Sequence, residues 1–463
     1  MRGTALRQRA LRVDRRTNRF RVVNEINKHR RYSIGRLQNE RKISRRAVWS
    51  WVLYDLANTI FSMGVVSLYF SLFVRSEVGA ERADGVIGVV NAVSMGLLLV
   101  LSPILGAMTD RARRRMPFLV WSTLICVGAT ALIARGPFAV SLLCFVIANA
   151  AYQAGLQFYD ALLPEVSHEG NRGRISGIGV GAGYIGSYFA VGAGFLVAPD
   201  NHAALFGLLA GAFLLLALPC FFFVTERGNP SPRPVFAWNA IRNAAGETLR
   251  TMRATREYPG LARFLVGRVF YTDAINTVIA YMGLYTVNVA MATGLSPEQG
   301  RTQAQLVLLS AVTSSVIGGF AWGAATDRLG PKRTLDVVLW LWIATFTAAA
   351  SIGFFALPMV TLYVVASMAG IALGGIWTSD RPYMLRLTPP SRVGEFYGLY
   401  GMVGRFSAIT GPLIWAAIVH VVVDWRGLEP LTGQATAIVS LLAMTVVAYV
   451  ILRPLGDRPE SQT

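Results

Sequence analysis

The sequence predicts an all-α membrane protein, with twelve transmembrane helices arranged as two six-helix pseudo-repeats. Three observations predict it. Of the 463 residues, 54% are hydrophobic and the mean hydropathy is +0.47, outside the range of an ordinary soluble domain. Twelve stretches are apolar over roughly the 20 residues that a bilayer-crossing helix needs. Short motifs also recur at nearly one spacing. Asp55-x-x-Asn58-Thr59 returns as Asp273-x-x-Asn276-Thr277, 218 positions on, and Gly106-Ala-Met-Thr-Asp110-Arg111 returns as Gly323-Ala-Ala-Thr-Asp327-Arg328 after 217. Gly173-Arg-Ile-Ser-Gly177 is echoed more weakly by Gly394-Glu-Phe-Tyr-Gly398, at 221. One ancestral unit is used twice, and like-oriented halves in a membrane usually hold a ligand site between them.

The spans are expected near 48–75, 84–109, 117–135, 137–163, 175–197, 203–224, 261–290, 303–326, 333–354, 358–387, 394–423 and 433–453. This divides the chain into a basic tail (1–46), a six-helix bundle (47–224), a polar linker (225–260), a second bundle (261–455) and a short tail (456–463). The net charge of +19 is unevenly placed: residues 1–46 hold 16 Lys/Arg against Asp14, Glu25 and Glu40. The basic loops, Arg111 to Arg115, Arg172 to Arg174, 225–260, Arg328 to Arg333 and Arg386 to Arg392, fall on the same side as that tail. The positive-inside rule makes that side cytoplasmic, with both termini there and a bacterial inner membrane as the expected location. Topology and attraction to anionic lipid explain the charge better than nucleic acid does. The tail is expected either to lie on the membrane as a basic helix or to be solvated chain.

The first span carries Asp55, Asn58 and Thr59 at i, i+3 and i+4, one face of a helix. Asp55 is expected roughly 12 Å deep, where a lipid-facing carboxylate costs several kcal/mol, so that face should look inward. The seventh span repeats the stripe, with Arg268 one or two turns nearer the basic loops. The stripes suit a cavity that carries a proton or binds a cationic group; the alternative is a hydrogen-bond network tying helices together. Asp110 and Asp327 end the second and eighth spans, and Asp160 ends the fourth. With Arg111, Arg114 and Arg328 they are expected to form a charge network that closes the cytoplasmic side and breaks when the halves rock.

The fourth span offers Tyr152, Gln153 and Gln157, and the tenth Trp377, Thr378, Asp380 and Arg381. Such faces suit a small polar solute, with Gln157, Trp377 and Asp380 as contacts. Arg405 lies near the middle of the eleventh span, where the first repeat has Tyr184. A guanidinium grips a carboxylate through two N–H groups. Arg405 therefore either binds an anionic group of the solute or permanently neutralises Asp55, Asp273 or Asp380. Glycine-rich stretches in the fifth span (Gly177 to Gly186) and eleventh span (Gly398 to Gly411) allow close helix contact and are expected at the seam between halves.

Cys126, Cys144 and Cys220 and the four scattered histidines show no metal-ligand spacing. No Walker A segment is present, and no cleavable signal sequence is expected, since residues 1–46 hold no apolar run. No enzyme activity, cofactor, metal or nucleic-acid partner is expected; the partners are a small solute, the bilayer and a proton, and the chain is expected to be a monomer.

The duplicated loop motif resembles the signature of the major facilitator superfamily. Trp51-Val-Leu-Tyr54-Asp55-Leu-Ala-Asn58 resembles the opening W-x-x-Y-D-x-A-N of its branch of fungal autophagy-related vacuole effluxers and their bacterial relatives. Phe158-Tyr-Asp160-Ala-Leu-Leu-Pro164-Glu165, Gly173-Arg174-Ile-Ser176-Gly177 and Glu395-Phe-Tyr-Gly398 through Arg405-Phe-Ser407 resemble other signatures of that branch, from about residue 44 to 455. The resemblance implies the twelve-helix fold, alternating access and, from the fungal members, export of small neutral amino acids. Two departures stand out: Asp160 replaces a more usual Asn, and the fifth span lacks the Gly-Pro pair of drug/proton antiporters. The leading expectation is a secondary transporter of a small polar organic solute, such as an amino acid. A broad-specificity drug or metabolite exporter and a non-transporting receptor or scaffold are the alternatives.

Overall fold

The computed structural model describes residues 43–198, 200–229, 232, 258–389 and 392–457. The basic tail, most of the polar linker and the final residues expected above lie outside them. Among the described residues there is no strand. The twelve long helices are α1 (Arg45–Val78), α2 (Ala80–Arg111), α3 (Met116–Leu132), α4 (Phe138–Asp160), α5 (Arg172–Leu196), α6 (His202–Phe223), α7 (Pro259–Ala292), α8 (Pro297–Leu329), α9 (Pro331–Phe355), α10 (Met359–Leu387), α11 (Val393–His420) and α12 (Pro430–Leu452). Eleven are long and apolar enough to cross a membrane; α3, at 17 residues, is the shorter exception. It stops at Leu132 rather than near 135 because Ile133 turns extended and Ala134 takes a left-handed conformation with φ 61°. At the other extreme α8 starts six residues earlier than the hydropathy suggests. Ser296 accepts from the Gln299 amide while the Gln299 side chain returns to the Ser296 amide, a reciprocal cap that lets a polar first turn form.

Large apolar side chains such as Phe195, Leu215, Phe222, Phe355 and Val360 stand on the outside, as a lipid-facing surface requires. Inside, each six-helix half has its own core. One holds Trp51, Phe145 and Phe206; the other holds Phe264, Trp342 and Leu441. The halves meet along two main seams, α5 against α8 and α2 against α11. Where Gly177 of α5 crosses α8, a Cβ would lie 2.5 Å from Gly323 Cα, so only glycine permits the approach. The other glycine row of α5, including Gly179 and Gly183, packs on Trp51, Asp55 and Thr59 of α1. That contact brings the first polar stripe toward the centre.

Directly after this stripe α1 loosens. From Ile60 to Tyr69 the backbone is π-helical, and the Phe70 amide reaches five residues back to the Val65 carbonyl. The Thr59 hydroxyl also bonds back to the Asp55 carbonyl, a local competitor of the helix ladder. Short π segments concentrate at functional sites, and this one follows the motif that the chain repeats.

Candidate functional site

The buried charges sort into separate groups with separate partners. Asp380 and Arg381 are neighbours on α10, so their side chains leave the helix roughly 100° apart and reach different surroundings. Asp380, fully buried, turns into its own half: Arg268 Nε of α7 donates to it at 3.1 Å and the Tyr400 hydroxyl at 3.0 Å. The Arg268 guanidinium also lies 3.5 Å from the Tyr400 ring centroid and donates to the Tyr400 carbonyl at 3.0 Å. This is a closed, neutral unit joining α7, α10 and α11.

Arg381 turns the other way and crosses the seam. Its Nη1 donates to Asp55 of α1 at 3.2 Å, and its Nε lies 3.1 Å from Asp160, the last residue of α4. One cation therefore serves two buried carboxylates, leaving the triad with a formal charge of −1. The triad rests on an aromatic floor: Trp51 stacks on Tyr159 at 4.5 Å, and Tyr159 donates to the Trp51 carbonyl at 3.1 Å. Asp160 thus belongs with Asp55, not with the Asp110 cluster expected from sequence.

Arg405 takes neither of the carboxylate partnerships that its own half or the other half would provide. Asp380 is held by Arg268, Asp55 by Arg381, and Asp273 accepts from the Thr410 hydroxyl at 2.9 Å. Arg405 is 5% exposed. Its Nη1 donates to the Ser102 hydroxyl at 2.6 Å and its Nη2 to the Gln153 carbonyl at 2.9 Å, both in the opposite half. Gln157 completes the cluster, 2.5 Å from the Ser102 hydroxyl through Oε1 and donating from Nε2 to the Ser102 carbonyl at 3.0 Å. Arg405 Nε has no hydrogen-bond partner, and no ion pair to this guanidinium is found among the described residues.

The two stripe motifs do not face one another. Asp55 meets α5 and Arg381, whereas Asp273 and Thr277 pack on Gly411 of α11, within their own half. Asn58 is 2% exposed with neither amide atom bonded among the described residues, Thr277 is buried with its hydroxyl unbonded, and Asn276 is half-buried. Trp377 lies at the seam, its carbonyl 3.5 Å from the Ser176 hydroxyl of α5.

The duplicated loop motif closes the basic-loop side by a crossed arrangement. Asp110, ending α2, accepts from the Gly394 and Glu395 amides at 2.8 and 2.7 Å, the first turn of α11 in the other half. Asp327, near the end of α8, accepts from the Gly173 and Arg174 amides at 2.8 and 3.1 Å, the first turn of α5. Each carboxylate satisfies otherwise unpaired N–H groups and meets the positive end of a helix. Arg115, not Arg114, is the cation on Asp110, at 2.9 Å. Arg114 and Arg328 are exposed, and Arg111 is half-buried. Among the described residues, every hydrogen bond or ion pair between halves lies between this level and the Tyr188–Thr313 contact near mid-helix; none lies toward the opposite ends.

Each half also fastens its own loop. Glu226, just past α6, accepts from the Arg115 and Met116 amides at 2.6 and 2.9 Å, and Asn229 bonds to the Arg113 and Asp110 carbonyls. Asp457, just past α12, accepts from the Lys332 amide at 2.9 Å with Arg386 at 3.6 Å.

Residues 78–452 match the model of the family described as vacuole effluxer Atg22 like. The chain belongs to that branch of the major facilitator superfamily. It is 27% identical over 424 residues to an uncharacterized MFS-type transporter, YxiO, of Bacillus subtilis, covering 87% of this chain and 93% of that one. It is 25% identical over 280 residues to an autophagy-related protein 22-1 of Emericella nidulans, covering 55% of this chain and 45% of the fungal one. Its fold is that of the human organic anion transporter MFSD10, with a TM-score of 0.65 at 16% identity over 89% of this chain and 99% of that one. The protein is therefore a multi-pass membrane transporter of the MFS type.

Proposed function

We propose that this chain is a secondary active transporter that moves a small polar organic solute across a bacterial inner membrane by alternating access. The crossed clamps carry the reading. Asp110 and Asp327 each hold a helix of the opposite half, so closing the basic-loop side and holding the halves together are one event. With that side cytoplasmic by the positive-inside rule, the conformer is closed to the cytoplasm. Opening requires both carboxylates to leave their helix ends and Arg381 to leave Asp55 and Asp160. The triad's surplus negative charge gives the cycle a place for a proton, since protonating one carboxylate leaves a neutral pair for Arg381.

Labelling of a single cysteine tests the rocking motion. Thr109 is 3% exposed and packs on Gly394 across the α2–α11 seam, and the three native cysteines are buried. In proteoliposomes, a cysteine at Thr109 should react with a bulky thiol reagent only as the halves separate, and the modification should stop uptake. Full uptake by the modified protein rules out rocking about this seam.

A further inference from the structure

We infer that the transported solute carries a carboxylate and that Arg405 binds it, with Ser102 and Gln157 beside it. This rests on the transporter reading above and adds the chemical class of the solute. Three observations carry it. Arg405 is nine-tenths buried and its guanidinium has only neutral partners, a hydroxyl and a backbone carbonyl. Each buried aspartate near the centre already has another partner, whether Arg268, Arg381 or Thr410. The Nε of the same guanidinium is unbonded.

Removing a guanidinium from water without a counter-charge is expensive, and a fold that serves only its own stability fills such a place with an apolar residue or an internal ion pair. Here no counter-charge is found among the described residues, and the solute supplies it. One unbalanced positive charge matches one negative charge, which favours a carboxylate over a doubly charged phosphate. The planar donor edge fits two carboxylate oxygens. The location links binding to movement. Arg405 belongs to the second half and its present acceptors, Ser102 and the Gln153 carbonyl, to the first. A carboxylate seated on the guanidinium takes over donors that now bridge the seam, so loading the solute loosens the closed contact between α11 and the α2–α4 pair.

The test is thermal denaturation of the purified full chain in detergent. The probes are the twenty amino acids, straight-chain monocarboxylates of two to eight carbons, and the amides of each. Wild type should be stabilised, in proportion to the logarithm of concentration, by at least one acid and not by its amide. Stabilisation by amino acids alone identifies a zwitterionic solute; stabilisation by the simple acids as well identifies a general carboxylate site. Arg405→Gln should weaken the effective acid roughly 30-fold or more, and its ligand-free form should melt no lower than wild type, because an unpaired charge has gone. Arg405→Lys, which keeps the charge and loses the fork, should retain part of the response. The inference is overturned if no acid shifts the wild type, if acid and amide shift it equally, or if Arg405→Gln loses stability as a broken ion pair does. Uptake of an amide at the rate of its acid also overturns it while leaving the transporter reading intact.

Discussion

Replacing Arg381 by Met leaves Asp55 and Asp160, both in the first half, without the cation that reaches them across the seam. Their side chains are 8% and 11% exposed, and that of Arg381 is 11%. Solvent therefore relieves little of the cost. Removing one partner of a buried pair costs about 3–5 kcal/mol. The lower figure alone is a factor of roughly 150 in an equilibrium. Because Arg381 reaches from α10 into the other half, the cost falls on the closed conformer, and the equilibrium should move toward separated halves. The assay is a cycle of variants: Arg381→Met alone, Asp55→Asn with Asp160→Asn, and all three together. Each is measured by denaturation in mixed micelles and by labelling of a cysteine at Thr109 from the basic-loop side. Arg381→Met should be the least stable and the most rapidly labelled. The triple variant should recover most of the loss, since neutral amides no longer need the guanidinium. If the triple variant is as unstable and as open as Arg381→Met, the two carboxylates are not what Arg381 balances and the triad reasoning fails.

The helix clamps differ in one testable respect from ordinary surface charges. Asp327→Asn retains an acceptor but loses the charge facing the first turn of α5, and should cost roughly 0.3–2 kcal/mol. Asp327→Ala, losing both bonded amides, should cost more, and Asp110→Ala should reproduce it at α11; equal labelling rates in wild type and Asp327→Ala contradict a clamp. Glu165 lies outside the spans in a one-turn helix, Leu163–Val166, where burial raises its carboxyl above the usual range and the Arg227 amide, at 3.1 Å, only partly offsets this. A folded-state pKa above the unfolded one means that its contribution is complete below the ordinary glutamate value and disappears as pH rises through the raised one. Glu165→Gln should therefore flatten the pH dependence of stability in that window, and an unchanged slope assigns it to another group.

The helices were legible because hydrophobic length is a strong signal, and the halves because motifs survive duplication. Pairings within the site were harder. Asp55 and Asp273 occupy equivalent places in sequence, yet one meets Arg381 across the seam and the other Thr410 in its own half. Sequence symmetry fixes the position along the helix; the neighbour across the gap belongs to a different element in each half. Arg381 was visible beside Asp380, but adjacency on a helix implies divergence rather than partnership, and nothing local says which of the two crosses. Arg405 was visible as the residue where the copies disagree. Whether it neutralised an aspartate depended on three other pairings, each made by residues more than 100 positions apart or by a neutral hydroxyl. Ser102 was missed altogether, since a serine in an apolar helix carries no sign of its partner.

Glu226 and Asp457 each sit past the last helix of a half, and each returns to the start of that half's third helix. The structural unit that was duplicated therefore ends at the returning acid rather than at the membrane. Anyone expressing the two halves as separate chains should cut beyond Asn229, because a break at Val224 removes the residues that set the loop bearing Asp110. For the same reason a purification tag joined directly after Leu455 displaces Asp457 from the Lys332 amide, and a transporter handled that way is measured with one of its two loop fastenings undone.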